Sequence, residues 1–83
     1  MGEINKIDEI EAHCEMGEYC LGKEDNENAL KIFYRVLELN KDNKIANFNI
    51  GNIKYVKKEY EEAAKRLTKV IEVDRHNGFA YRV

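Results

Sequence analysis

No proline interrupts this chain, and it contains no serine. Without proline nothing fixes or breaks a run of helical backbone, so the turns fall to Gly, Asn and Asp. Without serine, Thr68 is the sole hydroxyl besides the tyrosines, and its place inside an expected helix leaves it without a base. His76 stands in an expected turn with no Ser or Cys nearby, so no nucleophile is paired with a general base and no catalytic role is expected. No apolar run approaches the roughly 20 residues that cross a bilayer. The opening Met1-Gly2-Glu3-Ile4-Asn5-Lys6 has no apolar signal core and puts Lys6 where a myristoylation signal needs Ser or Thr. A soluble protein is expected. Cysteine is scarce too: Cys14 and Cys20 lie six residues apart on one expected helix, on faces that diverge by about 240 degrees, and cannot bridge each other there. Both read as free thiols in a reducing compartment, the cytoplasm.

What is present is charge and apolar bulk, 36% and 43% of 83 residues, the balance of one small helical domain and not of a disordered chain. A core of this size contributes about 3 to 5 kcal/mol without staples. Residues 1–28 hold nine acids against two bases, a net −7, while the other twelve bases and seven acids leave +5 for the remainder. Lys54, Lys57, Lys58, Lys65, Arg66 and Lys69 concentrate positive charge. They are spread around two helices with acids between, and a pI of about 5.7 opposes a phosphate-tracking surface, so no nucleic acid is expected as partner. His13, Cys14 and Glu18 lie within one or two turns, but neighbours on a helix point about 100 degrees apart and give no tetrahedral set. No metal and no cofactor are expected.

The chain repeats itself. Met16-Gly17 followed by Ala29-x-x-x-Phe33 returns 34 residues later as Ile50-Gly51 followed by Ala63-x-x-x-Leu67. The same offset joins Lys23 to Lys57, Glu27 to Glu61, Val36 to Val70 and Asn43 to Asn77, and Ala12, Ala46 and Ala80 extend it over three steps. Apolar spacing predicts four helices. The first runs from about Ile4 to Leu21 and ends at Gly22; the second is capped by Asp25, the third by Asp42 or Asn43. The fourth runs from about Tyr60 to Val73, and Asn77-Gly78 is expected to break it. Gly17 and Gly51 each cost a helix interior about 1 kcal/mol, so each is expected to let the first helix of its pair lie close against Ala29 or Ala63 of the second.

These residues resemble the tetratricopeptide repeat, W-x-x-L-G-x-x-Y, then A-x-x-x-F, then P. The first copy reads His13-x-x-Met16-Gly17-x-x-Cys20, Ala29-x-x-x-Phe33 and Lys41; the second reads Asn47-x-x-Ile50-Gly51-x-x-Lys54, Ala63-x-x-x-Leu67 and Arg75. The small residues are kept, while the aromatics of the first helix and the proline are not. Bulk moves one residue on, to Phe48 and Tyr55, by a slight rotation of the helix or a repurposed groove. The resemblance implies an all-α fold of antiparallel helix-turn-helix repeats stacked in a right-handed superhelix. Repeat one would span about 10–43 and repeat two about 44–77, with a stub of a third at 78–83. It also implies a non-catalytic scaffold whose first helices line a concave groove for a partner peptide.

Helical spacing then gives the groove Glu11, Cys14, Glu15 and Glu18 from the first helix. The third adds Ile45, Phe48, Asn49, Asn52, Tyr55 and Val56, and the stub Phe79 and Arg82. Stacked Glu11, Glu15 and Glu18 repel one another by a few tenths of a kcal/mol per pair, which a basic or basic-apolar partner relieves; the alternative is a solvated acidic face. Asn49 and Asn52 can bond a peptide backbone, and Phe48, Tyr55 and Phe79 can seat side chains or simply pack. One branch of the family holds chaperone C-terminal carboxylates with a clamp of lysines, asparagines and an arginine. Asn49 matches one asparagine, but Cys14, Glu18, Phe79 and Val83 stand at the other clamp positions, so no such tail is expected to bind. The last helix would leave apolar surface covered only by the stub, as in a piece of a longer array or in a homo-oligomer joined through the C-terminal repeat face, acidic end to basic end.

Overall fold

The computed structural model describes the backbone of residues 5–81 and the side chains of residues 5–75. Four helices follow in order, α1 (Lys6–Gly22), α2 (Asn26–Leu39), α3 (Lys44–Val56) and α4 (Tyr60–Tyr81), with no strand among the described residues. Each packs on the next, so α1 and α2 form one hairpin, α3 and α4 a second, and α2 joins them by lying on α3.

The first three helix starts follow from side-chain chemistry. Asn5, Asp25 and Asn43 cap the first three helices by accepting from the backbone N–H three residues on, at 2.9, 3.3 and 2.8 Å. Asn43, not Asp42, caps α3, because Asp42 turns to Lys69 on α4 at 2.9 Å. Gly22 closes α1, yet the left-handed residue of that turn is Glu24 (φ 60°), matched 34 residues later by Lys58 (φ 67°). Around both, the helix end is sealed in the same way: Asp25 N–H donates to Cys20 O and Glu59 N–H to Lys54 O, each at 2.9 Å.

The expected break at Asn77-Gly78 does not occur; α4 runs through it to Tyr81. One glycine weakens a helix by about 1 kcal/mol without removing its hydrogen bonds, and no proline follows to enforce a stop. No turn therefore sets residues 78–81 apart as the start of a third hairpin. The side chains expected of that stub, Phe79 and Arg82 among them, lie outside the described residues.

The core comprises Cys14, Ala29, Leu30, Phe33, Val36, Ala46, Ile50 and Ile53, joined at its edge by Ile10, Cys20, Leu21, Tyr34 and Leu37; Ala63 is buried as well. Gly17 and Gly51 do mark the close approaches, but their nearest partners differ from those expected. A methyl on Gly17 would meet the Phe33 ring at 2.6 Å, and one on Gly51 the Leu67 side chain at 2.8 Å, so the large residues reach the glycines while Ala29 and Ala63 lie buried one turn earlier.

The rotation of α3 is also excluded. Asn47 and Lys54, at the two lost aromatic positions, still face inward: Asn47 is fully buried, whereas Phe48 and Tyr55 are about half and more than half exposed. Polar bonding replaces the rings. Asn47 Nδ2 donates to Lys41 O (3.1 Å) and Asn43 O (2.9 Å), and its Oδ1 accepts from Arg66 (3.4 Å). Arg66 and Lys54 pair with Glu62 at 3.3 and 3.8 Å, and Tyr34 of α2 donates its hydroxyl to the same carboxylate at 2.6 Å.

Candidate protein-binding groove

The turn from α2 to α3 brings Asn40, Asn43 and Ile45 over the exposed flank of α1. There they enclose a hollow of about 620 Å³ with Ile7, Ile10, Glu11, Cys14, Glu15 and Glu18. A second hollow of about 370 Å³ is walled by Glu18, Lys44, Ile45, Phe48, Asn49, Val70 and Asp74. Glu18 and Ile45 belong to both. The two hollows therefore adjoin, and together they make up the candidate groove across α1, α3 and α4.

Its lining mixes apolar side chains with an acidic row on α1. Glu11, Glu15 and Glu18 recur on one exposed face, and among the described residues no ion pair involves them. Glu9 differs, meeting Arg35 at 3.7 Å. At the far end Lys44 and Asp74 close on each other at 2.8 Å, so the cation on that wall is already matched. Cys14 is a wall and not a reactive thiol. It is 4% exposed, its Sγ donates to Asn43 Oδ1 at 3.8 Å, and burial first, then the Glu18 and Glu11 carboxylates, push its thiol up. Among the described residues no group of three His, Cys, Asp or Glu side chains could hold a metal, and no helix is long and apolar enough to cross a membrane.

Of the residues expected in the groove, Glu11, Cys14, Glu15, Glu18, Ile45, Phe48 and Asn49 do line it. The Asn49 amide already donates to Ile45 O at 2.9 Å, leaving its oxygen free for a ligand donor. Asn52, Tyr55 and Val56 line neither hollow. They sit further along α3, where the Tyr55 ring stands edge-on to Tyr60 with centroids 5.6 Å apart. The expected packing set of Gly17, Ala29, Phe33, Gly51, Ala63 and Leu67 lies between the helices of each hairpin, away from the groove. Sequence reasoning missed Ile7, Ile10, Asn40, Asn43, Lys44, Val70 and Asp74. The caps at Asn43 and the short α2–α3 turn were visible, but not that this turn would swing over α1.

A family model described as tetratricopeptide repeat matches residues 21–82, more than half of the chain, taking in α2, α3 and α4. No curated protein and no solved structure matches. With two helix hairpins in tandem, small residues at the close approaches of both, and this match over most of its length, the chain belongs to the tetratricopeptide repeat family.

Proposed function

We propose that this chain is a non-catalytic protein-binding module that holds a segment of a partner protein along the groove of α1, α3 and α4. The family itself is one of protein–protein interaction scaffolds. The observation that carries the finer reading is the row of carboxylates Glu11, Glu15 and Glu18, without an ion pair among the described residues, beside the apolar side chains of Ile7, Ile10 and Ile45, none of them buried. Like charges one turn apart repel in the free protein, and a cation placed among them removes that repulsion while an apolar side chain fills the hollow. The segment that fits is basic and apolar. Two free thiols, one of them buried, suit a reducing compartment such as the cytoplasm.

Fluorescence anisotropy with labelled peptides tests this. A peptide alternating Lys or Arg with Leu is expected to bind, and an acidic peptide ending in a free carboxylate is not. Replacing Glu11 and Glu18 together by Lys should weaken the basic peptide by at least about tenfold, and added salt should weaken the wild type in the same direction. Equal affinity for both peptides, or indifference to the double replacement, overturns the reading.

A further inference from the structure

Two stripes of this chain are open, and they are the two halves of a contact it already makes. Between the hairpins, α3 buries Ala46, Ile50 and Ile53, spaced i, i+4, i+7 on one face and 0, 0 and 5% exposed. Across from it, α2 carries Leu30, Tyr34 and Leu37 at the same spacing, buried or half-buried. The Tyr34 bond to Glu62 fixes that face of α2 as the one turned toward the second hairpin. Moved back by 34 residues, the α3 stripe becomes Ala12, Met16 and Tyr19 on α1; moved forward, the α2 stripe becomes Ala64, Thr68 and Ile71 on α4. These counterparts face water. Met16 is 54%, Tyr19 67% and Ile71 60% exposed, and Ala12, Ala64 and Thr68 are exposed as well.

We propose that copies of this chain associate head to tail, the Ala64, Thr68 and Ile71 stripe of α4 in one copy lying on the Ala12, Met16 and Tyr19 stripe of α1 in the next. The contact continues the α2–α3 packing from one copy to another, with the same spacing on both sides. A hollow of about 580 Å³ along α4 borders the same stripe; of its cations Arg66 is held by Glu62 and Lys69 by Asp42, leaving Lys41 and Lys65 beside Glu61 and Glu72, so the contact rests on its apolar side chains. Because the two stripes differ, each added copy leaves one of each open, and the assembly grows as a chain instead of closing as a symmetric dimer. The proposal does not rest on the groove, whose lining shares none of the six stripe residues.

Sedimentation velocity over a concentration series tests it, with circular dichroism to show that each variant stays helical. The weight-average mass of the wild type is expected to rise with concentration to at least about twice the 9.7 kDa of one chain. Met16→Glu and Ile71→Glu, both at exposed positions, should each remain monomeric alone. Mixed, each still offers one intact stripe, so they should form a 1:1 dimer that grows no further. A wild type that stays monomeric throughout overturns the proposal, as does a Met16→Glu variant that still dimerises by itself or a mixture that yields no dimer.

Discussion

At Gly17 two effects of a single methyl group oppose each other. Alanine would favour the helix by about 1 kcal/mol, but its Cβ would stand 2.6 to 2.9 Å from three atoms of the Phe33 ring. That ring is wholly buried and has nowhere to move. Overpacking of this kind costs about 1 to 3 kcal/mol, so Gly17→Ala should be net destabilised in urea or thermal unfolding. Gly51→Ala should lose less, since Leu67 is only half-buried and its branched end can turn aside; equal losses would contradict this account. The register of both glycines was plain in the sequence. Their partners were not, because helical spacing shows which elements face each other without showing which turn of the second meets the first. Asn47 was harder still: as a replacement for an aromatic it looked like a loss of bulk, and only the positions of Lys41 O, Asn43 O and Arg66 show that hydrogen bonds fill that space.

At the scale of the element, the repeat extends to backbone conformation. Glu24 and Lys58 hold left-handed backbone at equivalent places, where a side chain costs about 1 to 2 kcal/mol that glycine does not incur. Lys58→Gly should therefore raise stability by up to about 1 kcal/mol after glycine's extra entropy in the unfolded chain is counted. Chemical denaturation at constant m-value is the check, and a loss would show that the Lys58 side chain contributes more than its backbone costs. The caps of α2 and α3 were legible because Asp25 and Asn43 stand just before apolar periodic runs, whereas the α1 cap at Asn5 was not singled out. The end of α4 was not legible. Asn-Gly is a strong turn signal between strands, but within a helix already held by packing upstream it is only a weak point.

For the whole molecule, the Tyr34–Glu62 bond matters more than its size because it links α2 of one hairpin to α4 of the other. The Tyr34 hydroxyl first, then Arg66 and Lys54, hold the Glu62 carboxyl below its ordinary range, while burial together with Glu62 pushes the Tyr34 phenol up to about 12. A lowered carboxyl contributes its stability above the unfolded value and loses it as pH falls through the folded one, so stability should decline on acidification below about 4.5. Glu62→Gln should flatten that decline, measured by thermal unfolding across a pH series. A decline as steep as in the wild type would place the acid sensitivity elsewhere. The groove was legible in its chemistry, since Glu11, Glu15 and Glu18 share a helical face. Its extent was not, because Asn52 and Tyr55 share the α3 face without reaching the hollow that the α2–α3 turn encloses.

The order of packing, α1 on α2, α2 on α3, α3 on α4, gives the two middle helices a neighbour on each flank among the described residues. A row built this way frays from its outer members inward, so α1, with the acidic wall of the groove, can detach while Phe33, Ile50 and Asn47 still hold the centre. Whatever binds along that wall also fastens the outermost helix to the row, and occupancy and rigidity should rise together.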